Sequence, residues 1–343
     1  VELLKNTATG NGDDDGEYWK VTTTDGVQYY FGLNRLPGWS SGKPETKSAW
    51  THPVFGDDPG EPCHAGSFAA SWCRQAYQWN LDYVVDPHGN AVAFFYQQEI
   101  NHYGRNLRPQ DATPYVRGGW LERIEYGHRA DTLFTAKAPA RVLFTVAERC
   151  LPTDDFDCAP DKIASHPTRW PDVPYDLNCA AGTECQGTHG TVAPTFWTRK
   201  RLTGITTQVI QADGTYRDVD HWAFDHLWGD ADIDQALLLK SITHTGRAAS
   251  PAVTLPSVTF NHVHLPNRVD RQGDDIPPYL KYRLSAIYDE SGGQLEINYS
   301  EPDCTLDDLP APENNTRRCF PVKWTPAGYA DPITDWFHKY VVT

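Results

Sequence analysis

The chain has 343 residues, a formal net charge of −15, 39% hydrophobic and 12% aromatic residues, and 26 each of Gly and Pro. So acidic a chain repels the phosphate backbone, which argues against a nucleic-acid partner, and no apolar run approaches the roughly 20 residues that cross a bilayer as a helix. The length exceeds one ordinary core, and the Gly and Pro content favours many turns and short strands, so an all-β architecture of stacked antiparallel hairpins is expected.

In chain order, the first strand-like run is Val1-Glu2-Leu3-Leu4. Asn11, Asp13 and Asp15 then alternate ahead of Gly16, a composition that suits a calcium loop; Val21 stands where that loop would carry its bidentate Glu. A solvated acidic loop accounts for the same residues. Val21–Thr24 and Val27–Phe31 flank Asp25-Gly26, a strong hairpin signal. Residues 32–75 read as mostly irregular, and 67–78 as a short helix or a turn.

The most informative feature is an internal repeat. Residues 81–96 and 284–299 share the pattern L-x-x-[VI]-x-D-x-x-G-[NG]-x-[VL]-x-[FI]-x-Y without a gap. Asp86 and Asp289 would open a type I turn by accepting backbone N–H groups, and Gly89 and Gly292 would take its left-handed position, followed by Asn90 and Gly293. Beyond the turn, Val92, Phe94 and Tyr96 share one face, as do Leu295, Ile297 and Tyr299. Half-units with the same L-x-x-I opening occur at Leu121, Leu202 and Leu239. A further hairpin turns at Asp213-Gly214. A lone hairpin cannot bury its apolar face, so such units must stack or meet a second layer.

Eight cysteines fall into four close pairs: Cys63 with Cys73, Cys150 with Cys158, Cys179 with Cys185, and Cys304 with Cys319. An even count in Pro-, Asp- and Gly-rich loops points to disulfides and an oxidising, extracellular or cell-wall setting. Zinc is the rival, but no C-x-x-C spacing is present. The stretches 32–75, 150–195 and 300–330 thus read as long stapled loops. The chain is expected to form one elongated β region over 1–343, subdivided into 1–146 and 196–343 around the Cys-rich loop 147–195.

The run Trp79–Asn90, followed by Gly118–Gly127, resembles the RHS/YD-repeat superfamily in the region upstream of its tandem repeats. It is similar to Tc-toxin B components and to secreted actinobacterial RHS proteins. Tyr29–Trp39 and Ile333–Thr343 resemble the actinobacterial branch. The resemblance implies a β-shell whose partners are the rest of its own polypeptide: YD repeats and a C-terminal toxin or effector. Few tandem repeats are present here, and no catalytic residue carries over.

Other chemistry is thinly signalled. His262 and His264 share a strand face near Asp270, half of a metal site at most. No G-x-S-x-G, H-E-x-x-H or P-loop occurs. Asp218, Asp220, Asp225 and Glu122 could supply a glycosidase pair, but separation decides that and spacing cannot give it. The tryptophans, spread from Trp39 to Trp336, serve loops and core, while an exposed pair would stack on sugar. The expected role is a structural shell segment; a cell-surface or carbohydrate-binding module and a polysaccharide-active enzyme are the alternatives. Calcium is the single cofactor suggested.

Overall fold

The computed structural model describes residues 1–186, 191–232, 234–271 and 273–343. The strands in chain order are β1 (Glu2–Lys5), β2 (Glu17–Thr22), β3 (Gln28–Phe31), β4 (Ala49–Phe55), β5 (Trp72–Trp79) and β6 (Leu81–Val85). Then come β7 (Asn90–Gly104), β8 (Ala112–Arg129), β9 (Ala140–Glu148), β10 (Lys200–Ile210), β11 (Tyr216–Asp230) and β12 (Gln235–Gly246). The last are β13 (Val253–Thr254), β14 (Val258–Pro266), β15 (Leu280–Tyr288), β16 (Gln294–Glu296), β17 (Cys319–Trp324) and β18 (Ile333–His338). Fourteen strands make one sheet in the order β1-β2-β3-β6-β7-β8-β9-β10-β11-β12-β14-β15-β16, with β13 alongside β12. β4–β5 and β17–β18 form separate hairpins.

Both repeat units are antiparallel hairpins with the same turn. Asp86 Oδ1 accepts the N–H groups of His88 and Asn90 at 2.8 Å each, and Asp289 Oδ1 accepts those of Ser291 and Gly293 at 2.8 Å. These bonds hold both carboxyls below the ordinary Asp range, the largest contributions coming from the side chains of Asn90 and Ser291 respectively. Gly89 and Gly292 have φ of +80° and +90°. The two units also end alike: the Tyr96 hydroxyl donates to the Leu81 carbonyl at 2.7 Å, and Tyr299 to that of Leu284 at 2.8 Å. Gly89→Val should destabilise the protein by about 1–2 kcal/mol or more, because a β-branched residue resists left-handed backbone. Denaturant unfolding checks this, with Gly66→Val as control, since a Cβ there meets nothing within 4 Å and its φ is not positive.

The L-x-x-[VI] opening has a physical cause that periodicity alone hides. Residues three apart on a regular strand point to opposite faces. Here the register slips by one residue immediately after each Leu. Leu81 and Val84 stand opposite Phe31 and Tyr29, which share a face, leaving Asp82 as the surplus residue. Leu121 and Ile124 stand opposite Tyr96 and Phe94, with Glu122 surplus. Leu202 and Ile205 oppose Val146 and Phe144, Leu239 and Ile242 oppose His226 and Phe224, and Leu284 and Ile287 oppose His262 and Phe260. Their surplus residues are Thr203, Lys240 and Ser285. In each of the five strands a β-bulge restores both apolar side chains to one face, and bulges add local twist.

The cores are local. Leu33, Leu36, Tyr83, Ala91, Ala93, Phe95 and Leu133 form one beneath the N-terminal segment. Cys150, Phe156, Cys158, Ile163, Trp170 and Val173 form a second inside the 150–173 loop, and Val269, Cys304, Cys319 and Trp336 a third behind β17–β18. All four disulfides join nearest neighbours, Cys63–Cys73, Cys150–Cys158, Cys179–Cys185 and Cys304–Cys319, with Cα separations of 5.0 to 6.2 Å.

Some expectations need correction. Residues 67–78 hold a three-residue 3-10 turn at Phe68–Ala70 and then the strand β5, because β5 pairs along its length with β4. Two of the three irregular stretches therefore contain strands: 32–75 holds β4 and the start of β5, and 300–330 holds β17. After the first turn it is the opposite set, Ala91, Ala93 and Phe95, that is buried, whereas Val92 and Phe94 stay half exposed. The Cys-rich loop is an excursion from a hairpin: β9 and β10 pair directly from Glu148 and Lys200 inward. Its residues 187–190 lie outside the described residues.

Candidate functional site

Tracing cross-strand partners from β6 to β16 collects one face of the large sheet. Val84 faces Val92, and Phe94 faces Ile124, which faces Val142. Phe144, Ile205, Trp222 and His244 follow in one row. Phe224, Ile242 and Val258 form the next, then Phe260, Ile287 and Leu295. The Leu residues that precede the bulges join this face. None of these side chains is fully buried, and Leu295 is 59% exposed. Such a continuous apolar surface is far more than the scattered exposed residues of an ordinary soluble surface.

From β8 to β11 the reverse face is polar, whereas on β6 and β7 it carries the core residues Tyr83, Ala91, Ala93 and Phe95. Glu125, Arg141, Gln208 and Asp218 are successive cross-strand neighbours. Arg141 donates to Gln208 at 2.6 Å, Gln208 to Asp218 at 2.6 Å, and Arg247 to Asp218 at 2.8 Å. These contacts hold Asp218 below the ordinary carboxylate range, the Gln208 bond contributing most. A sheet wet on one side and apolar on the other is the usual sign of a surface built to be covered on the apolar side.

Within the apolar face, Trp222 and His244 stack with ring centres 4.7 Å apart and planes 5° from parallel. His244 Nε2 meets Asp220 at 2.8 Å. Leu255, Pro256 and Glu290 complete a cavity of about 260 Å³ over this pair. None of the twelve tryptophans is exposed, whereas Phe55 and Phe68 are an exposed aromatic pair with ring centres 6.4 Å apart.

The other residues singled out by sequence are placed as follows. Asn11 donates to the carbonyls of Glu17 and Gly32, Asp13 accepts N–H groups from Asp15, Glu17 and Ala76, and Asp15 pairs with Lys5. Together with Asp14, which exchanges two bonds with the Arg74 backbone, they clip the N-terminal loop to β5. Among the described residues, the acidic cluster of metal-binding spacing is Asp57, Asp58 and Glu61, all exposed. His262 is half buried and burial lowers its pKa, while His264 packs edge-on to Tyr282. Asp270 turns instead to Arg268 at 2.9 Å. Glu122 pairs with Arg123 at 2.7 Å and accepts from Gln97 at 2.6 Å, and Asp225 is exposed. Asp220 and Asp218 thus belong to opposite faces of β11, each with its own partner. Sequence reasoning did not single out the buried charged residues Asp82, Glu99, Arg117 and Arg268. Asp82 carried a signal, since a polar residue follows the Leu in all five motifs.

No family model matches the chain, and no curated protein matches it. Among solved structures it is similar to TcdB2-TccC3-TEV, at 13% identity and a TM-score of 0.33 over 95% of this chain and 16% of that chain. It is likewise similar to TcdB2-TccC3, at 11% identity and a TM-score of 0.32 over 100% of this chain and 18% of that chain. The N-terminal domain of effector protein SpvB from Salmonella typhimurium strain LT2 aligns at 14% identity and a TM-score of 0.30, over 71% of this chain and 62% of that chain. The chain spans less than a fifth of the length of the two TcdB2-TccC3 chains.

Proposed function

We propose that this chain is a wall segment of a larger secreted protein of the RHS/YD-repeat type, and that its apolar face meets other parts of the same polypeptide, including a toxin or effector that the wall encloses or delivers. The observation that carries this reading is the two-sided sheet. Among the described residues, no second sheet lies over the apolar surface running from β6 to β16, although Leu33, Leu36 and Leu133 cover the other side of β6 and β7. The five bulged L-x-x-[VI] strands repeat one solution to one problem, which is to keep apolar residues on the same side of a twisting sheet. The polar groups of this region are spent on turns and cross-strand ladders, whereas an enzyme needs convergent titratable groups around a reacting atom. Four disulfides suit an extracellular setting.

The test is photo-crosslinking in the polypeptide as its gene encodes it. A benzophenone amino acid at position 224, on the apolar face, should join the chain to other segments of the same polypeptide. The same group at position 141, on the polar face, should not. Equal labelling from both positions, or none from position 224, would rule the wall reading out.

A further inference from the structure

Asp82, the surplus residue of the β6 bulge, is fully buried. Its Oδ2 accepts three hydrogen bonds from one stretch of chain: the Asn34 N–H at 2.7 Å, the Thr46 hydroxyl at 2.8 Å and the Ser48 hydroxyl at 2.6 Å. Oδ1 is buried and has no partner. No cation approaches it among the described residues. Of the charged residues in that stretch, Arg35 and Glu45 pair with each other at 2.7 Å, Lys43 Nζ donates to the Phe134 carbonyl at 3.0 Å, and Lys47 Nζ turns away to Gln97 at 3.0 Å. From the sheet side the titratable neighbours are phenols: Tyr96 of β7, which feels the Asp82 charge, and the adjoining Tyr83 and Tyr30, with ring centres 5.6 Å apart. A buried, half-satisfied carboxylate without a counter-charge is an unfavourable place for an anion.

We infer that Asp82 is a proton-linked latch, fastening residues 33–48 to the sheet more tightly when its carboxyl is protonated. Those residues matter to the wall because Leu33 and Leu36 seal the N-terminal core and the Thr46 carbonyl accepts the Tyr96 N–H at 2.8 Å. Burial pushes the Asp82 pKa from 3.8 up to about 6, against the pull of its hydrogen bonds. The sign follows from the raised value. Between these two pH values the closed latch holds a proton that the open one releases, so closure weakens as pH rises through this window and is level above it.

Hydrogen exchange at the Asn34 and Tyr96 amides, corrected for intrinsic rates, reads the latch directly. Protection in the native protein should rise roughly 100-fold from pH 7 to pH 4, the two-unit span converted at tenfold per unit. In Asp82→Asn it should not change with pH. Ser48→Ala removes a donor to the anion, so it should move the rise to higher pH, and this variant serves if Asp82→Asn does not fold. The same pH slope in Asp82→Asn as in the native protein, or an unmoved rise in Ser48→Ala, would overturn the latch.

Discussion

Arg268→Met should cost the C-terminal unit about 3–5 kcal/mol, the usual penalty for breaking a buried ion pair by removing one partner. Arg268 is 1% exposed. Its guanidinium bonds Asp270 and Asp335 at 2.9 Å each, also pairs with Asp274, and donates to the Ile276 carbonyl at 2.9 Å. Asp335 in turn accepts from Trp324 Nε1 at 3.2 Å, so the cluster ties the 268–276 loop to both strands of the β17–β18 hairpin. Without the cation, three carboxylates converge on an apolar gap beside Val269 and Trp336. The bond from Arg268 also holds Asp274 below the ordinary carboxylate range, and that contribution is present above the unfolded value and lost as pH falls through the folded one. Guanidinium unfolding followed by Trp fluorescence measures the loss. Arg268→Lys should recover only part of it, because an ammonium cannot reproduce the planar fork. A loss below 1 kcal/mol for Arg268→Met would mean that the cluster is held by its backbone bonds instead.

Glu99→Leu is expected to be nearly as damaging, about 3–5 kcal/mol, and Glu99→Leu with Arg117→Met much less so. Glu99 and Arg117 pair at 2.9 Å with both side chains only 6% exposed. Arg117 lies 3.4 Å over the Trp197 ring, and two of its guanidinium nitrogens have no hydrogen-bond partner. Burial lowers its pKa, the Glu99 charge opposing that shift. Removing Glu99 alone strands a buried cation and releases the Thr198 hydroxyl and the Arg199 N–H that also bind it. Removing both charges leaves a volume that leucine and methionine can fill. A double-mutant cycle from denaturant unfolding decides between these outcomes. If the double variant loses the sum of the two single losses, the pair contributes through packing rather than charge.

Much of the hairpin architecture was legible in residues, because turns are local. Asp86 and Gly89, and Asp289 and Gly292, reveal their roles through spacing alone, and the cysteine pairs through proximity. What escaped was set by partners distant in sequence. β5 looks helical or irregular until β4 is laid beside it. Ala91, Ala93 and Phe95 gain their burial from Leu33, Leu36 and Leu133, which no local window contains. The apolar face was half legible: its motifs were visible at all five Leu positions, but the bulge that makes a three-residue spacing one-sided exists only between two strands. Arg268 was hidden because its partners extend to Asp335, 67 positions away.

The bulges have one more consequence. They fall on every second strand, β6, β8, β10, β12 and then β15, each nearly level with its neighbour's. β8 goes further, spending 18 residues against the 15 of β7 by slipping at Arg117, Glu122 and Gly127. Strands of unequal contour length laid side by side act like the two metals of a bimetallic strip: the surplus must go somewhere, and the bonded pair curls. The bend is thus written into the lengths of the strands themselves, and a sheet made this way holds its curvature without a second layer behind it.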